Sequence, residues 1–494
     1  MNSNDDLSKL ERQRRLVLQA IGGAALLAGL DLNGSNAAKA SETGSDGVLD
    51  VVIVGGGLSG LTSARDLQIA GCESFVVLEA RDRVGGRTYN HDLGNGYISE
   101  AGGQWVGPGQ TAIFDLAREL DIETFPSYYE GNAVFLVGDA KVEQDTNEGL
   151  GFDPELVNKI NELSRSVPSK EPWKAKDAAE LDKLSVGDWL SKQGVRLVDR
   201  VGFNTIMTLT YGGSPASMGF LHFLSLINSA GSNLAKLEGF KGGAQETRFI
   251  GGSQILSIKM AQTLGDKVKL SCPVRRVIGW DRDVVELHTD QGVFRACKVV
   301  IALNPALCNQ ISFDPPLPNG RAQLQSLWPA HGPMRKTTHV YESPFWREKG
   351  LNAHIIQSDG PLIFAYDNSP PDASLGVINA FVRTGNLSND AVIAQNILSA
   401  IYAQALGEQA LKPIQFHDQD WGKVDPWTLT CMNPIPPGFW TKWGEYLKPS
   451  IGSLIWSGTE TADDWVGAMD GAVRSGHRAA LEALQALVQA RRNA

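Results

Sequence analysis

Val51-Val52-Ile53-Val54 runs directly into Gly55-Gly56-Gly57-Leu58-Ser59-Gly60, and this junction constrains the fold more than any other stretch of the chain. A continuous β-branched run is expected of a parallel strand buried on both faces. Apolar residues then recur at helical spacing through Leu61, Ala64, Leu67 and Ala70, and a second apolar run, Phe75 to Leu78, ends at Glu79. The pattern predicts a βαβ unit. Within its GxGxxG, Gly55 allows the tight turn, Gly57 lets backbone N–H groups approach a pyrophosphate, and Gly60 lets helix and strand pack closely. The helix start at Leu58 and Ser59 offers orphan N–H donors and a positive dipole end to phosphate. Glu79 stands about twenty residues downstream, where a ribose diol is bound in such units.

NAD and FAD both use this unit, and the residues after Glu79 distinguish them. Ala80 leads into Arg81-Asp82-Arg83-Val84-Gly85-Gly86-Arg87-Thr88, a second glycine-rich turn with basic side chains, read as a further phosphate and flavin contact. Glu100-Ala101-Gly102-Gly103-Gln104-Trp105 adds another glycine pair beside an acid.

Composition narrows the function. The 494 residues suffice for two domains or one interleaved pair. A net charge of -10 argues against a nucleic-acid partner, because phosphate backbones are bound by clustered Lys and Arg. Cys72, Cys272, Cys297, Cys308 and Cys431 form no CxxC pair, so neither a zinc site nor a disulfide framework is expected. Arg14-Arg15-Leu16-Val17-Leu18-Gln19, the apolar run Ala20 to Leu30 and Ala38-Lys39-Ala40 read as a twin-arginine export signal over 1–40, followed by a linker at 41–47. That apolar run falls short of the roughly twenty residues of a membrane span, so none is expected. The signal implies a periplasmic or exported protein that folds around its cofactor first, with a cytoplasmic location as the alternative.

These motifs and those that follow them resemble the flavin monoamine oxidase family, which includes polyamine and L-amino-acid oxidases. The similarity runs from about residue 49 to the C-terminus. Besides the turns already described it rests on Gly102 to Pro108, Gly243 to Ser253, Val274, Lys336 ahead of Pro344-Phe345-Trp346, Pro436-Pro437-Gly438, and Ser457 to Ala462. The resemblance implies an α/β fold: a Rossmann-like FAD-binding domain from 48–123, 250–324 and 424–487, and a mixed-sheet α+β substrate domain from 124–249 and 325–423. The chain's own pattern agrees. Gly265 to Leu270 and Val299 to Ala302 read as strands, Val284 to Phe294 as a hairpin turning at Thr289-Asp290-Gln291-Gly292, and Ala391 to Leu406 as a helix.

The implied chemistry is hydride removal from the carbon beside a neutral amine nitrogen, in a water-poor pocket and without a nucleophilic triad. Lys336 matches the family's lysine, which is linked through a water to flavin N5 and implicated in the reaction of reduced flavin with oxygen. Gly458, Thr459 and Glu460 match the closing flavin segment, with Glu460 on a ribityl hydroxyl. Trp465, Gly467, Ala468 and Met469 lead into a helix whose N-terminus would stabilise charge on the reduced ring. Trp421 joins this cofactor set. Leu209, Leu237, Gln245 and Phe364 align with the family's substrate cavity. His331 and His339 read as structural histidines.

Two departures from the family bear on specificity. Many members flank the amine with two aromatic side chains, but here Cys431 and Ala468 occupy those places. The pocket is then wider and takes a bulkier amine, or Trp427, Phe364 or Trp440 replaces part of the cage. Thr430 stands where some relatives carry a flavin-linking cysteine, so noncovalent FAD is expected, with a thioether to Cys431 as the alternative. The expected partners are a small amine and O2, together with a second copy in a homodimer. An L-amino-acid oxidase stays open, and would require a carboxylate-binding arginine. So does a dehydrogenase that passes electrons to a carrier protein.

Overall fold

The computed structural model describes residues 47–138, 140–145, 151–330, 335–429 and 434–493. The twin-arginine segment, most of the linker, Thr430, Cys431 and His331 lie outside the described residues.

The β-branched run forms strand β1 (Leu49–Val54), followed by helix α1 (Leu58–Ile69) and strand β2 (Phe75–Leu78), with β1 and β2 parallel. Alternation decides what each side chain of β1 meets. Val51 and Ile53 pack with Leu61, Ala64 and Leu67 of α1, whereas Val52 and Val54 pack with Leu287, Val299 and Trp456 on the other face. Burial on both faces explains why the run carries no polar residue, since each fully buried Val or Ile contributes about 1.5–3 kcal/mol.

The sheet has eight strands, ordered Ser312–Asp314, Val274–Ile278, Val285–Thr289, Gly292–Ile301, β1, β2 and Val268–Lys269, with Leu454–Trp456 beside the second half of Gly292–Ile301. Its strands come from three separated stretches of chain, which is how Ser457-Gly458 reaches the β1–α1 turn. The C-terminal helix Met469–Asn493 crosses α1 closely at Gly476, where a Cβ would lie 2.5 Å from the Ser59 carbonyl oxygen.

Two expected elements are shorter than the pattern suggested. Of Gly265 to Leu270, only Val268–Lys269 is a strand, because Gly265 at φ +57° opens a 3-10 turn over Gly265–Lys267. In the hairpin Thr289 pairs with Gly292, leaving Asp290-Gln291 as the turn.

A second sheet has seven strands, with β3 (Arg335–Tyr341), β4 (Leu362–Asp367) and β5 (Gly376–Val382) among its central ones in the order β3-β5-β4. Helix Ala391–Leu406 covers one face, N-capped by Asp390, whose Oδ1 accepts from the N–H groups of Val392 and Ile393. Tyr341, Ile378, Ala380 and Val382 pack there with Leu398 and Tyr402. By alternation the opposite face carries Lys336 and Thr338 of β3, Asn379 and Phe381 of β5, and Phe364 and Tyr366 of β4. Helices α2 (Leu197–Tyr211) and α3 (Leu234–Glu238) belong to a helical layer whose core includes Phe203, Met207, Phe223 and Trp440. Among the described residues no helix is long and apolar enough to cross a membrane.

Candidate active site

At the C-terminal end of β1 the chain turns through Gly55, whose φ of +108° favours glycine and where a Cβ would lie 2.8 Å from the Ala302 carbonyl oxygen. Gly60 is packed more tightly still: a Cβ there would lie 2.0 Å from the Gly55 oxygen. Gly57 is the opposite case. A Cβ on it would meet only the Cα of Gly86, 3.9 Å away, and one on Gly86 would meet only the Cα of Gly57, at 3.4 Å. The first loop and the second glycine turn therefore face each other across glycines on both sides, joined where the Gly85 N–H donates to the Gly56 oxygen at 2.9 Å. Gly57 N-caps α1 with no side-chain cap, leaving the helix start to backbone donors.

Glu79 closes this end. Its Oε2 accepts from the Gly56 N–H at 2.7 Å and its Oε1 from the Arg81 N–H at 2.9 Å. Arg81 is held in turn by Asp425, at 2.8 Å. The Cys272 N–H bonds the Glu79 oxygen and the Ser271 N–H the Arg81 oxygen, which ties the segment leading to Val274 onto the stretch after β2. At the other end Arg87 donates to Glu460 Oε1 at 2.7 Å, and Asn304 donates to the same atom at 3.0 Å. Glu460 Oε2 is buried with no hydrogen-bond partner among the described residues. A cradle that a Cβ would fill, an uncapped helix start and an orphaned buried carboxylate oxygen fit a dinucleotide cofactor such as FAD.

Several side chains expected at the cofactor serve the protein itself. The Ser59 hydroxyl bonds Ser457, Ser475 and the Gly458 N–H, tying the C-terminal segment onto α1. Thr88 Oγ1 donates to the Gly85 oxygen, Thr459 Oγ1 to the Ala468 oxygen, and Trp421 Nε1 to the Ala101 oxygen. At Thr88 and Thr459 the hydroxyl proton is thereby committed to the protein, which leaves the backbone N–H groups as donors to a ligand.

Lys336 points inward from β3 and is 3% exposed, against the usual exposure of lysine. Its Nζ donates to the Gly102 oxygen at 3.1 Å and to Gln104 Oε1 at 2.5 Å. Tyr366 OH donates to the same Gln104 oxygen, while Gln104 Nε2 donates to Asn368. The rings of Trp105, Tyr366 and Phe381 surround the ammonium at 5.9, 5.7 and 5.4 Å. Gly103 adjoins the start of the C-terminal helix, a Cβ there lying 4.0 Å from Met469 Sδ. Gly467, at φ +86°, turns the chain toward Ala468. Lys336, the glycine pair and the Ala468-Met469 segment thus share one junction between the two sheets.

Of the expected substrate residues, Phe364, Leu237 and Ala468 lie at the same junction. Phe364 lies 5.6 Å from Tyr366 between ring centroids and 6.3 Å from Phe240, which in turn contacts Trp105 at 5.8 Å and His354 at 4.5 Å. Leu237 and Ala468 belong to one apolar cluster with Trp465. Gln245 Nε2 donates to the Leu237 oxygen at 3.3 Å. Leu209 lies near the end of α2, half-buried. Trp440 is a correction: it is 5% exposed and packs in the helical core against Trp173, Trp328 and Phe439, so it replaces no part of a cage. Trp427 lies under the guanidinium of Arg275 at 5.3 Å, outside this aromatic cluster. His339 stands on the far face of β3 with its Nε2 3.4 Å from the Gln395 oxygen, and burial holds it down to about 3, a neutral structural histidine. Phe240, Tyr366, Phe381, His354 and Glu238 were not singled out from sequence. Alternation along β4, which sets Tyr366 on the face of Phe364, was the one available signal.

A dinucleotide cradle on one sheet, joined to a buried lysine and an aromatic pocket on the other, defines an FAD-dependent oxidoreductase. Residues 58–484 match the model of the flavin containing amine oxidoreductase family. The chain is 36% identical over 444 residues to a protein of Mycobacterium tuberculosis named as the flavin-containing monoamine oxidase AofH, covering 88% of this chain and 96% of that one. It is 32% identical over 454 residues to flavin-containing amine oxidase B of Cavia porcellus, covering 89% and 86%. The solved cyclohexylamine oxidase of Brevibacterium oxydans superposes with a TM-score of 0.82 at 30% identity, over 89% of this chain and 100% of that one. Putrescine oxidase bound to putrescine gives 0.79 at 31%, over 88% and 98%. The chain belongs to the flavin-containing amine oxidoreductase family.

Proposed function

We propose that this enzyme oxidises a bulky or alkaloid-type primary or secondary amine to an imine, which water hydrolyses to a carbonyl compound, and that O2 is reduced to H2O2. When bound, noncovalently, FAD supplies the acceptor for the hydride leaving the α-carbon and passes the electron pair to O2. The observation that carries the reading is Lys336, buried at the junction of the glycine loops and the aromatic pocket. Residues 48–123, 250–324 and 424–487 hold the cofactor, while 124–249 and 325–423 shape the pocket.

Gly57, Gly86 and the start of α1 receive the pyrophosphate, Glu79 a ribose diol and Glu460 a ribityl hydroxyl. Lys336, oriented by Gln104 and the Gly102 oxygen, would face the N5 edge of the bound flavin. Trp105, Phe240, Phe364 and Phe381 exclude water and favour the neutral amine that hydride loss requires. Thr430 in the place of a linking cysteine supports a noncovalent cofactor. An amino-acid substrate would need a guanidinium for its carboxylate. Arg248 is engaged with Glu100 at 2.8 Å and the Ser369 oxygen at 2.9 Å, which favours plain amines. The Arg14-Arg15 segment supports export through the twin-arginine route.

An anaerobic panel of primary, secondary, polyamine, alkaloid and amino-acid substrates tests the reading by loss of flavin absorbance. Amines should bleach the flavin and amino acids should not. Bleaching without peroxide on readmission of air would instead indicate a dehydrogenase serving a carrier protein.

A further inference from the structure

Glu238, the last residue of α3, is half-buried, and the described protein supplies no cation for its carboxyl group. Its Oε1 accepts from Tyr211 OH at 2.7 Å and its Oε2 from Thr210 Oγ1 at 2.8 Å. Both donors are neutral, and among the described residues no charged group perturbs it. Buried carboxylates are otherwise paired or driven toward the neutral form. Burial pushes Glu238 up to about 7, against the pull of the two hydroxyls.

Its chain neighbours on both sides belong to the amine pocket: Leu237 clusters with Ala468 and Trp465, and Phe240 joins the aromatic group. Gln245 brackets it, donating from Nε2 to the Leu237 oxygen at 3.3 Å and from its backbone N–H to the Gly239 oxygen at 3.1 Å. Gln245 Oε1 is a buried acceptor with no partner among the described residues. Phe240, two positions on, contacts Trp105 and Phe364. Leu209, Leu237, Glu238, Phe240 and Phe364 each keep part of their surface accessible. Of the titratable groups around Glu238, Tyr211 of α2 is its donor. Lys236 of its own helix is turned to the Trp465 ring at 5.4 Å, and His354 beyond Phe240 is held neutral by burial. The helix Pro154–Arg165 meets α3 through Asn161, which accepts from the Leu234 N–H.

We propose that Glu238, with Gln245 Oε1, is a cation subsite of the amine pocket, binding a second, protonated nitrogen of a dibasic substrate while the neutral amine to be oxidised lies toward Lys336. This rests on the amine-oxidase reading and deepens it: the substrate carries two basic nitrogens. A carboxylate paired with an ammonium inside a low-dielectric pocket discriminates strongly against an apolar isostere, which leaves the charge unpartnered.

The test compares α,ω-diamines with alkylamines of equal length in which a methyl replaces the far amino group. The readout is the efficiency of anaerobic flavin bleaching. The diamine-to-alkylamine ratio should fall by about tenfold or more in Glu238→Gln, which keeps the shape and an acceptor for Tyr211. A second measurement needs no variant. The far ammonium stays charged between about pH 6 and 8, so the wild-type ratio should rise across that range as Glu238 ionises. Bleaching by the alkylamines with a ratio unmoved by the substitution and flat with pH overturns the Glu238 subsite alone. Failure of every amine to bleach the flavin overturns the amine reading, and this inference with it.

Discussion

Lys336 and Gln104 are joined by a 2.5 Å hydrogen bond from Nζ to Oε1, a contact between two positions 232 residues apart in the chain. The bond ties β3 of the second sheet to the glycine segment Gly102-Gly103. Because Gln104 Oε1 also accepts from Tyr366 and its Nε2 bonds Asn368, the amide cannot turn without breaking contacts on both sides. The lysine is thereby fixed before any ligand arrives, a form of preorganisation.

Lys336→Met keeps the bulk of the side chain and removes the ammonium. Reoxidation of reduced flavin by O2 should slow on the order of 10²-fold, while anaerobic reduction by amine should change far less. Stopped-flow absorbance separates the two half-reactions, and equal slowing of both would contradict the role.

Gly57 and Gly60 differ in what surrounds them, and their variants should fail differently. Gly57→Val projects into the cleft shared with Gly86, so the protein should fold with near-normal stability and lose its flavin. Gly60→Ala drives a Cβ toward the Gly55 oxygen, 2.0 Å away, and should destabilise the fold by about 1–3 kcal/mol or more. Flavin content and the denaturation midpoint, measured on both, check the contrast.

Glu100 and Arg248 form an ion pair at 2.8 Å with side chains 0% and 4% exposed. Burial alone would raise Glu100; the charge of Arg248 and hydrogen bonds from Arg248 and Asn368 overcome it and hold the group below its ordinary value of 4.5. A depressed acid stabilises the fold above its unfolded value and loses that contribution as pH falls through the folded one. Stability should therefore drop in acid below about pH 4.5, and Glu100→Gln should remove that component. The variant strands the guanidinium and should cost about 3–5 kcal/mol at neutral pH, read by chemical denaturation.

Acid precipitation tests the flavin linkage. The yellow colour should stay in solution when the protein is denatured, and colour retained by the pellet would point to a thioether at Cys431.

The β1–α1–β2 unit was legible because its signals are local: a β-branched strand, a glycine turn, helical spacing and an acid at a set distance. Lys336 was legible only through its motif context, since nothing in the residue type foretells a buried ammonium among Trp105, Tyr366 and Phe381. The pocket wall was not legible. Glu238 with Phe240, His354 and Phe381 come from three segments, and their meeting depends on how α3 and the loop after it lie over the second sheet. At Ser59, Thr88 and Gln104 the side-chain polar atoms bond the protein itself, a use that residue type does not foretell. At Trp440, aromaticity marked a core position.

The account depends on a flavin ring held between the two sheets with Lys336 directed at its N5 edge, and a crystal structure of the FAD-loaded protein measures this directly. Nζ of Lys336 should lie within one bridging water of N5, with the ring's substrate side facing Phe364 and Phe240. A flavin bound elsewhere, or with N5 turned away from Lys336, would contradict it.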